Sequence, residues 1–273
     1  MPAYLDSILA AHRAVAARDR RDLAATVDAA RAHLDVVTRE GGAGAPRDFV
    51  AALLAGRAAR GMAVISEIKR RSPSKGDLDP DLDPAVVAVD YESGGASCLS
   101  VLTDGEFFGG SPADLTAARA ACTLPVLRKD FTVSALDVCD ARIMGADAVL
   151  LIVAALDDAE LASLLALART LRLAPLVEVH DEAELDRALA AGADLVGVNQ
   201  RDLRTFEVDR ARALRMGERM PADVVAVAES GIRDADDVVQ LAAAGYTAVL
   251  VGETLVRSAD RTAAVDGLLG ARA

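Results

Sequence analysis

From residue 62 onward the chain alternates between short apolar runs and longer Ala- and Leu-rich stretches, and the alternation is completed eight times. The apolar runs are Met62–Ile68, Cys98–Leu102, Leu124–Leu127, Ala148–Val153, Pro175–Val179, Leu195–Val198, Val224–Ala228 and Ala248–Val251. Between them lie stretches that open on acidic residues, such as Asp157–Leu173 and Asp181–Ala191. A run that is apolar throughout, rather than at every second position, suits a strand of a parallel sheet covered on both faces. Strands separated by helices read as βαβ units, and eight of them are the number that closes a (βα)8 TIM barrel of the α/β class.

A repeat supports this count. Gly95-Ala96-Ser97, Gly145-Ala146-Asp147, Gly192-Ala193-Asp194 and Gly245-Tyr246-Thr247 each end a helical stretch and lead into a strand, at spacings of 50, 47 and 53 residues. Each interval holds two βα units, so these glycines mark the even-numbered strands, and glycine there supplies the left-handed turn that ends a helix. A period near 50 residues could also come from a solenoid or a propeller. The helix–strand alternation excludes an all-β propeller. The first 61 residues lack a strand pattern. Leu5, Ile8 and Leu9, then Leu23, Val27 and Leu34, have helical spacing; Gly41–Pro46 reads as a flexible break, and Arg47–Arg60 as a further helix. The expected organisation is one domain over 1–273, with a helical extension at 1–61 ahead of a barrel at 62–273. Whether that extension caps one end or only enlarges the surface is open on pattern alone.

Charge narrows the ligands. The net charge is −12 and aromatic residues make up 3% of the chain, with no Trp. Such a molecule repels polyphosphate and has little to stack on bases, so neither nucleic acid nor an anionic membrane is an expected partner. There is no charged-then-apolar leader at Met1 and no apolar run of about 18 residues, which predicts a cytoplasmic protein. Cys98, Cys122 and Cys139 lie far apart without a C-x-x-C pair, and read as small core fillers. An anionic ligand must be held by a local cluster of donors.

In a barrel those donors belong at the C-terminal strand ends, where the βα loops converge. The ends here are unusually charged: Glu67-Ile68-Lys69, Arg128-Lys129-Asp130, Val177-Glu178-Val179, Asn199-Gln200-Arg201 and Glu229-Ser230-Gly231. Alternation places Glu67 and Lys69 on one face, and an inward face would bring them toward Lys129, Glu178 and Glu229. Buried charges are costly unless paired. The bland reading is an ion-pair network serving stability; the functional one is a set of acids and bases whose pKa values neighbours can tune. A second set suits phosphate. Lys69-Arg70-Arg71-Ser72-Pro73-Ser74-Lys75-Gly76 is a basic island, and Ser230-Gly231 with Gly252 follow strands seven and eight. Loops in those two positions often build phosphate sites with backbone N–H groups. Glu253 is out of place beside a dianion and is expected to face solvent at a helix N-terminus. His12, His33 and His180 show no metal-ligand spacing, and His180 reads as a loop or helix-start residue. Phe107-Phe108-Gly109-Gly110-Ser111 is either a packed loop or an apolar wall for an aromatic substrate.

These segments, in this order, resemble the indole-3-glycerol-phosphate synthases. The matching stretches are Glu67–Ser74, Phe107–Ser111, Leu127–Phe131, Leu176–His180, Val198–Leu203 and Ala228–Ile232, with Leu5–Leu9 near the N-terminus. The resemblance implies closure of the indole ring of 1-(2-carboxyphenylamino)-1-deoxyribulose 5-phosphate with release of CO₂ and water, in tryptophan biosynthesis. It implies helices covering the barrel mouth, a phosphorylated small molecule as the only partner, and neither a metal nor an organic cofactor; the expected state is a monomer. It makes Lys129 the general acid on the ribulose carbonyl and Glu178 the acid/base of later proton transfers. Lys69 binds the substrate carboxylate and is a candidate acid in the dehydration, positioned by Glu67, while Asn199 and Glu229 hold sugar hydroxyls and orient the lysines. Arg201 assists at the anthranilate end, Ser72, Ser230, Gly231 and Gly252 line the phosphate site, and Phe131 and Leu203 flank the aromatic ring. A phosphoribosylanthranilate isomerase-like barrel would need a Cys/Asp acid–base pair, and no Cys ends strand one. A catalytically silent sugar-phosphate-binding barrel would be expected to lose Lys129 or Glu178, and both are present.

Overall fold

A computed structural model describes residues 4–73, 75–202 and 205–270. The expected Leu203 therefore lies outside the described residues, as does Ser74. Eight parallel strands close on themselves: β1 (Ala63–Ile68), β2 (Cys98–Leu102), β3 (Val126–Lys129), β4 (Ala148–Ile152), β5 (Ala174–Val179), β6 (Leu195–Asn199), β7 (Val225–Glu229) and β8 (Ala248–Val251), with β8 pairing back onto β1. Ahead of them run α1 (Tyr4–Arg18), α2 (Leu23–Glu40) and α3 (Phe49–Arg60). After β1 to β7 come α4 (Pro84–Ser93), α5 (Pro112–Ala121), α6 (Ala135–Ile143), α7 (Asp158–Thr170), α8 (Glu182–Ala190), α9 (Arg210–Gly217) and α10 (Ala235–Ala243). A single turn, α11 (Glu253–Val256), and α12 (Arg261–Leu268) follow β8. The chain thus forms the (βα)8 barrel with helices preceding it that the pattern predicts.

The acidic openings of the helical stretches have a local cause. Eight of these helices have Asp at the N-cap, among them Asp157, Asp181 and Asp234, whose side chains accept from backbone N–H groups of the first turn. Each such cap satisfies an otherwise orphaned donor and is worth about 1 kcal/mol, so part of the net negative charge is structural. The four repeat glycines adopt φ of +91°, +93°, +84° and +94° and enter β2, β4, β6 and β8. Cys98, Cys122 and Cys139 are free and buried, as core fillers are.

Two expectations shift. Strand three begins at Val126 rather than Leu124, because Pro125 has no N–H to give a ladder, and it continues to Lys129, which pairs with Leu102. Lys129 is therefore the last residue of the strand itself. The Gly41–Pro46 break contains a 3-10 turn at Gly42–Gly44, and the Ala45 carbonyl accepts from Arg119 at 2.6 Å. The three leading helices take different places. Leu5 and Ile8 of α1 line the cavity at the C-terminal strand ends. In contrast, α2 packs on α6, and α3 lies at the opposite end, where Arg57 donates to Thr247 Oγ1 at 3.1 Å and Phe49 O accepts from Cys98 Sγ.

Candidate active site

The C-terminal strand ends open into a cavity of about 690 Å³. Its floor is apolar, built from Leu102, Leu150, Ile152, Leu250 and Val251, and its walls are charged. Among the described residues, seven Lys or Arg side chains face it against six Asp or Glu, so in a chain of net charge −12 this is a locally basic place. It can hold an anion that the surface as a whole repels.

Sheet register assembles the centre. Asn199 stands level with Glu229, Glu178 level with Gly197, and Lys129 ends its strand beside Leu102. Lys129 Nζ donates to Glu178 Oε2 at 3.0 Å and to Glu229 Oε2 at 2.6 Å. Asn199 Nδ2 donates to Glu178 Oε1 at 3.2 Å, and Lys69 Nζ donates to Glu67 Oε1. Glycines make room for the carboxylates. A Cβ on Gly197 would overlap Glu229 Oε1 and lie 3.2 Å from its Cδ; one on Gly252 would overlap Glu67 Oε1 and lie 3.2 Å from that Cδ.

The electrostatics of the two central carboxylates diverge. Burial works against both charged forms, but Lys129 and His180 outweigh it at Glu178 and hold that carboxyl well below the usual range. At Glu229, burial and the charge of Glu178 prevail over Lys129 and push the pKa up to about 7. Burial would also discharge Lys129, yet the carboxylates of Glu178, Glu229 and Glu67 hold its ammonium above the ordinary lysine value. Two acids with separated pKa values beside an ammonium that their charge keeps protonated at rest form an acid–base set.

The phosphate candidates lie on the β7–β8 side. Ser230 and Gly231 take φ of +65° and +75° in succession, and Gln200 Nε2 holds the Ser230 carbonyl at 2.7 Å. A non-glycine residue kept in the left-handed region at a cavity wall points to a functional constraint. Gly252 opens α11, and Ser72 lines the cavity from the loop after β1. Glu253 borders the cavity as well, its carboxylate 3.8 Å from Arg257. The rest of the basic island divides. Lys69, Pro73 and Lys75 line the cavity, whereas Arg70 is held by Asp114 and the Leu82 carbonyl and Arg71 by the Gly105 and Glu106 carbonyls. Arg201 lines the cavity while its guanidinium donates to Phe206 O at 3.1 Å.

Phe131 and Phe108 form an apolar wall, with ring centroids 6.3 Å apart. His12 of α1 stacks on Phe131 at 5.3 Å and bonds Asp104 Oδ2 through Nε2 at 2.9 Å. This residue, 92 positions from its partner, has no local signal in the sequence, and neither do Gln200 and His180. His12, Asp104 and Asp130 are the one group among the described residues whose donor atoms converge as a cation would need. Its oxygens are already engaged: Asp104 accepts from the Phe107 and Phe108 N–H groups and from His12, and Asp130 from Thr103, Arg128 and Phe131 N. A cation would have to displace these donors, so the chemistry of the group fits a hydrogen-bonded latch better than a metal centre.

The sequence model of a family described as indole-3-glycerol phosphate synthase matches residues 12–268. Among curated proteins, indole-3-glycerol phosphate synthase 2 of Streptomyces coelicolor is 54% identical over 82% of this chain and 85% of its own. Indole-3-glycerol phosphate synthase of Aromatoleum aromaticum is 51% identical over 92% of this chain and 96% of its own. Among solved structures, a 3-hexulose-6-phosphate synthase superposes with a TM-score of 0.62 at 21% identity over 78% of this chain and all of that one. A thiamine phosphate pyrophosphorylase from Pyrococcus furiosus superposes at 0.58 and 16% identity, over 77% of this chain and 94% of that one. At such identities these two structures speak for the barrel alone. A match over nearly the whole sequence, with relatives more than half identical, establishes that the chain belongs to the indole-3-glycerol phosphate synthase family.

Proposed function

We propose that the cavity carries out its family's reaction, ring closure of 1-(2-carboxyphenylamino)-1-deoxyribulose 5-phosphate with loss of CO₂ and water, through the following division of labour. Lys129 is the general acid. Its ammonium, charged and held between two carboxylates, gives a proton to the ribulose carbonyl oxygen as the aromatic carbon attacks. Glu178, kept ionised, takes the proton whose loss restores aromaticity. Lys69, steadied by Glu67, binds the substrate carboxylate and serves in the dehydration. Asn199 and Glu229 hold sugar hydroxyls and orient the lysines. Ser72, Ser230, Gly231 and Gly252 receive the phosphate, Arg201 assists at the anthranilate end, and Phe131 flanks the ring. The apolar floor strengthens each charge interaction by excluding water.

The observation that carries this reading is Lys129 Nζ within 3.0 Å of both Glu178 and Glu229 in a cavity of about 690 Å³. Its test is a steady-state fluorescence assay of indole-product formation, run with and without chelator. Turnover indifferent to chelator is the expected result. Lys129→Ala should abolish turnover with substrate binding largely kept, and near-normal turnover in that variant removes Lys129 from the general-acid role.

The same reading makes 1–273 one barrel domain, with α1 as the cover of the mouth. It makes the protein a cytoplasmic monomer whose partner is a phosphorylated small molecule. Supporting the monomer, the exposed large apolar side chains are distributed over six helices. No helix among the described residues is long and apolar enough to cross a membrane. Sedimentation that gives a dimer would overturn the monomer assignment.

A further inference from the structure

Glu178 is held from two sides. On the cavity side are Lys129 Nζ at 3.0 Å from Oε2 and Asn199 Nδ2 at 3.2 Å from Oε1. Behind it is His180, two residues on and so on the same side of the chain as it leaves the strand. His180 Nε2 lies 3.3 Å from Glu178 Oε1, an ion-pair approach rather than an aligned hydrogen bond. The other ring nitrogen, Nδ1, is 3.0 Å from Glu184 Oε2, which also accepts from the His180 backbone N–H at 2.8 Å. Asp181 caps α8 and starts the turn that brings Glu184 back to the ring. The side chain is 12% exposed and is not part of the cavity wall, so substrate in the cavity meets Glu178 and not His180.

We propose that His180, clamped as an imidazolium between Glu184 and Glu178, is a positioning residue that anchors Glu178 from behind and decides which of the two central carboxylates carries a shared proton. The inference rests on the assignment of Glu178 as the proton acceptor. The groups facing Glu178 are Lys129 from β3, Asn199 from β6 and His180; Glu229 from β7 faces it across Lys129. Those facing His180 are Glu178 and Glu184. Burial disfavours a charged ring, but these two carboxylates outweigh it and hold the imidazolium up to about 10, so it stays charged through neutrality. Glu229 has Lys129 as its only cation among these groups and rises to about 7. Two carboxylates bridged by one ammonium titrate as a pair. Near pH 7 that pair takes up its first proton, and the second cation behind Glu178 directs it to Glu229, leaving Glu178 free to act as base.

The test compares His180→Gln, Glu184→Gln and Glu178→Gln with the parent, measuring kcat and KM from pH 6 to pH 8 alongside thermal unfolding. Without the imidazolium, Glu178 competes for the first proton. His180→Gln should then lose kcat relative to the parent between pH 8 and pH 6, by about twofold if the proton is shared evenly and by about tenfold if it moves wholly to Glu178. KM should stay within about twofold, since the ring does not touch substrate. Glu184→Gln keeps the ring but loosens its clamp, and should show a smaller loss in the same direction; it serves also if His180→Gln does not fold. A ratio of variant to parent kcat that is independent of pH overturns the inference, whatever its size, because a merely structural role lowers activity alike at both ends. Glu178→Gln separates the two levels. If it is inactive while the His180→Gln ratio stays flat, the inference alone fails; if it turns over, the assignment of Glu178 fails and the inference with it.

Discussion

Gly197→Ala tests the site without replacing a residue assigned to substrate. The added methyl would overlap Glu229 Oε1 and stand 3.2 Å from Glu229 Cδ and 3.3 Å from Leu176 Cδ1. To regain van der Waals separation the carboxylate oxygen must withdraw by about 1 Å. The atom that moves is the end of a flexible side chain, so the fold should lose only about 1 kcal/mol, or about 2–4 °C in Tm for a chain of this length. The chemistry should suffer more. Glu229 Oε2 holds Lys129 Nζ at 2.6 Å, and a misplacement of about 1 Å in a catalytic constellation costs on the order of 10²-fold in rate. The assay is kcat from product fluorescence, read beside a thermal melt. A double-mutant cycle assigns the cause: in a Glu229→Ala background the obstruction is gone, and Gly197→Ala should cost nothing further in kcat. A Gly197→Ala enzyme within twofold of the parent kcat would refute the claim that the position of Glu229 governs turnover.

Ser72→Ala should act mainly on KM, raising it about tenfold through loss of one hydrogen bond to a charged group; a pure kcat loss counts against its phosphate role. His12 gives a pH test. Burial would lower its pKa, but the hydrogen bond to Asp104 and the charges of Asp130 and Asp104 raise it above 6.5. The stabilisation it gives is therefore fully present below about pH 6.5 and lost as pH rises through the raised value. The stability difference between the parent and His12→Asn should shrink with rising pH, and a difference constant with pH would refute the latch. Glu229 works in the same sense. Its pKa is raised from 4.5 to about 7, so the folded state binds the extra proton and stability falls as pH climbs through that window. Glu229→Gln should gain stability relative to the parent between those pH values, and parallel Tm profiles would contradict it.

Local pattern carried much of this protein. Eight buried strands announce themselves as apolar runs because a parallel strand is covered on both faces, and the acidic helix starts are legible because an Asp N-cap acts within its own first turn. Alternation along one strand sufficed to put Glu67 and Lys69 together. The basic island was legible as composition but not in its use, since whether Arg70 and Arg71 face the cavity depends on Asp114 and on the Gly105 and Glu106 carbonyls. The meeting of Lys129 with Glu178 and Glu229, 49 and 100 residues away, follows only from barrel closure and register. So do the latch of His12 on Asp104, the clamp of Gln200 on Ser230 and the emptiness above Gly197 that Glu229 fills. The pKa split between the two central carboxylates also belongs to the tertiary structure, because burial and unequal cation contact set it and both are properties of space rather than of sequence.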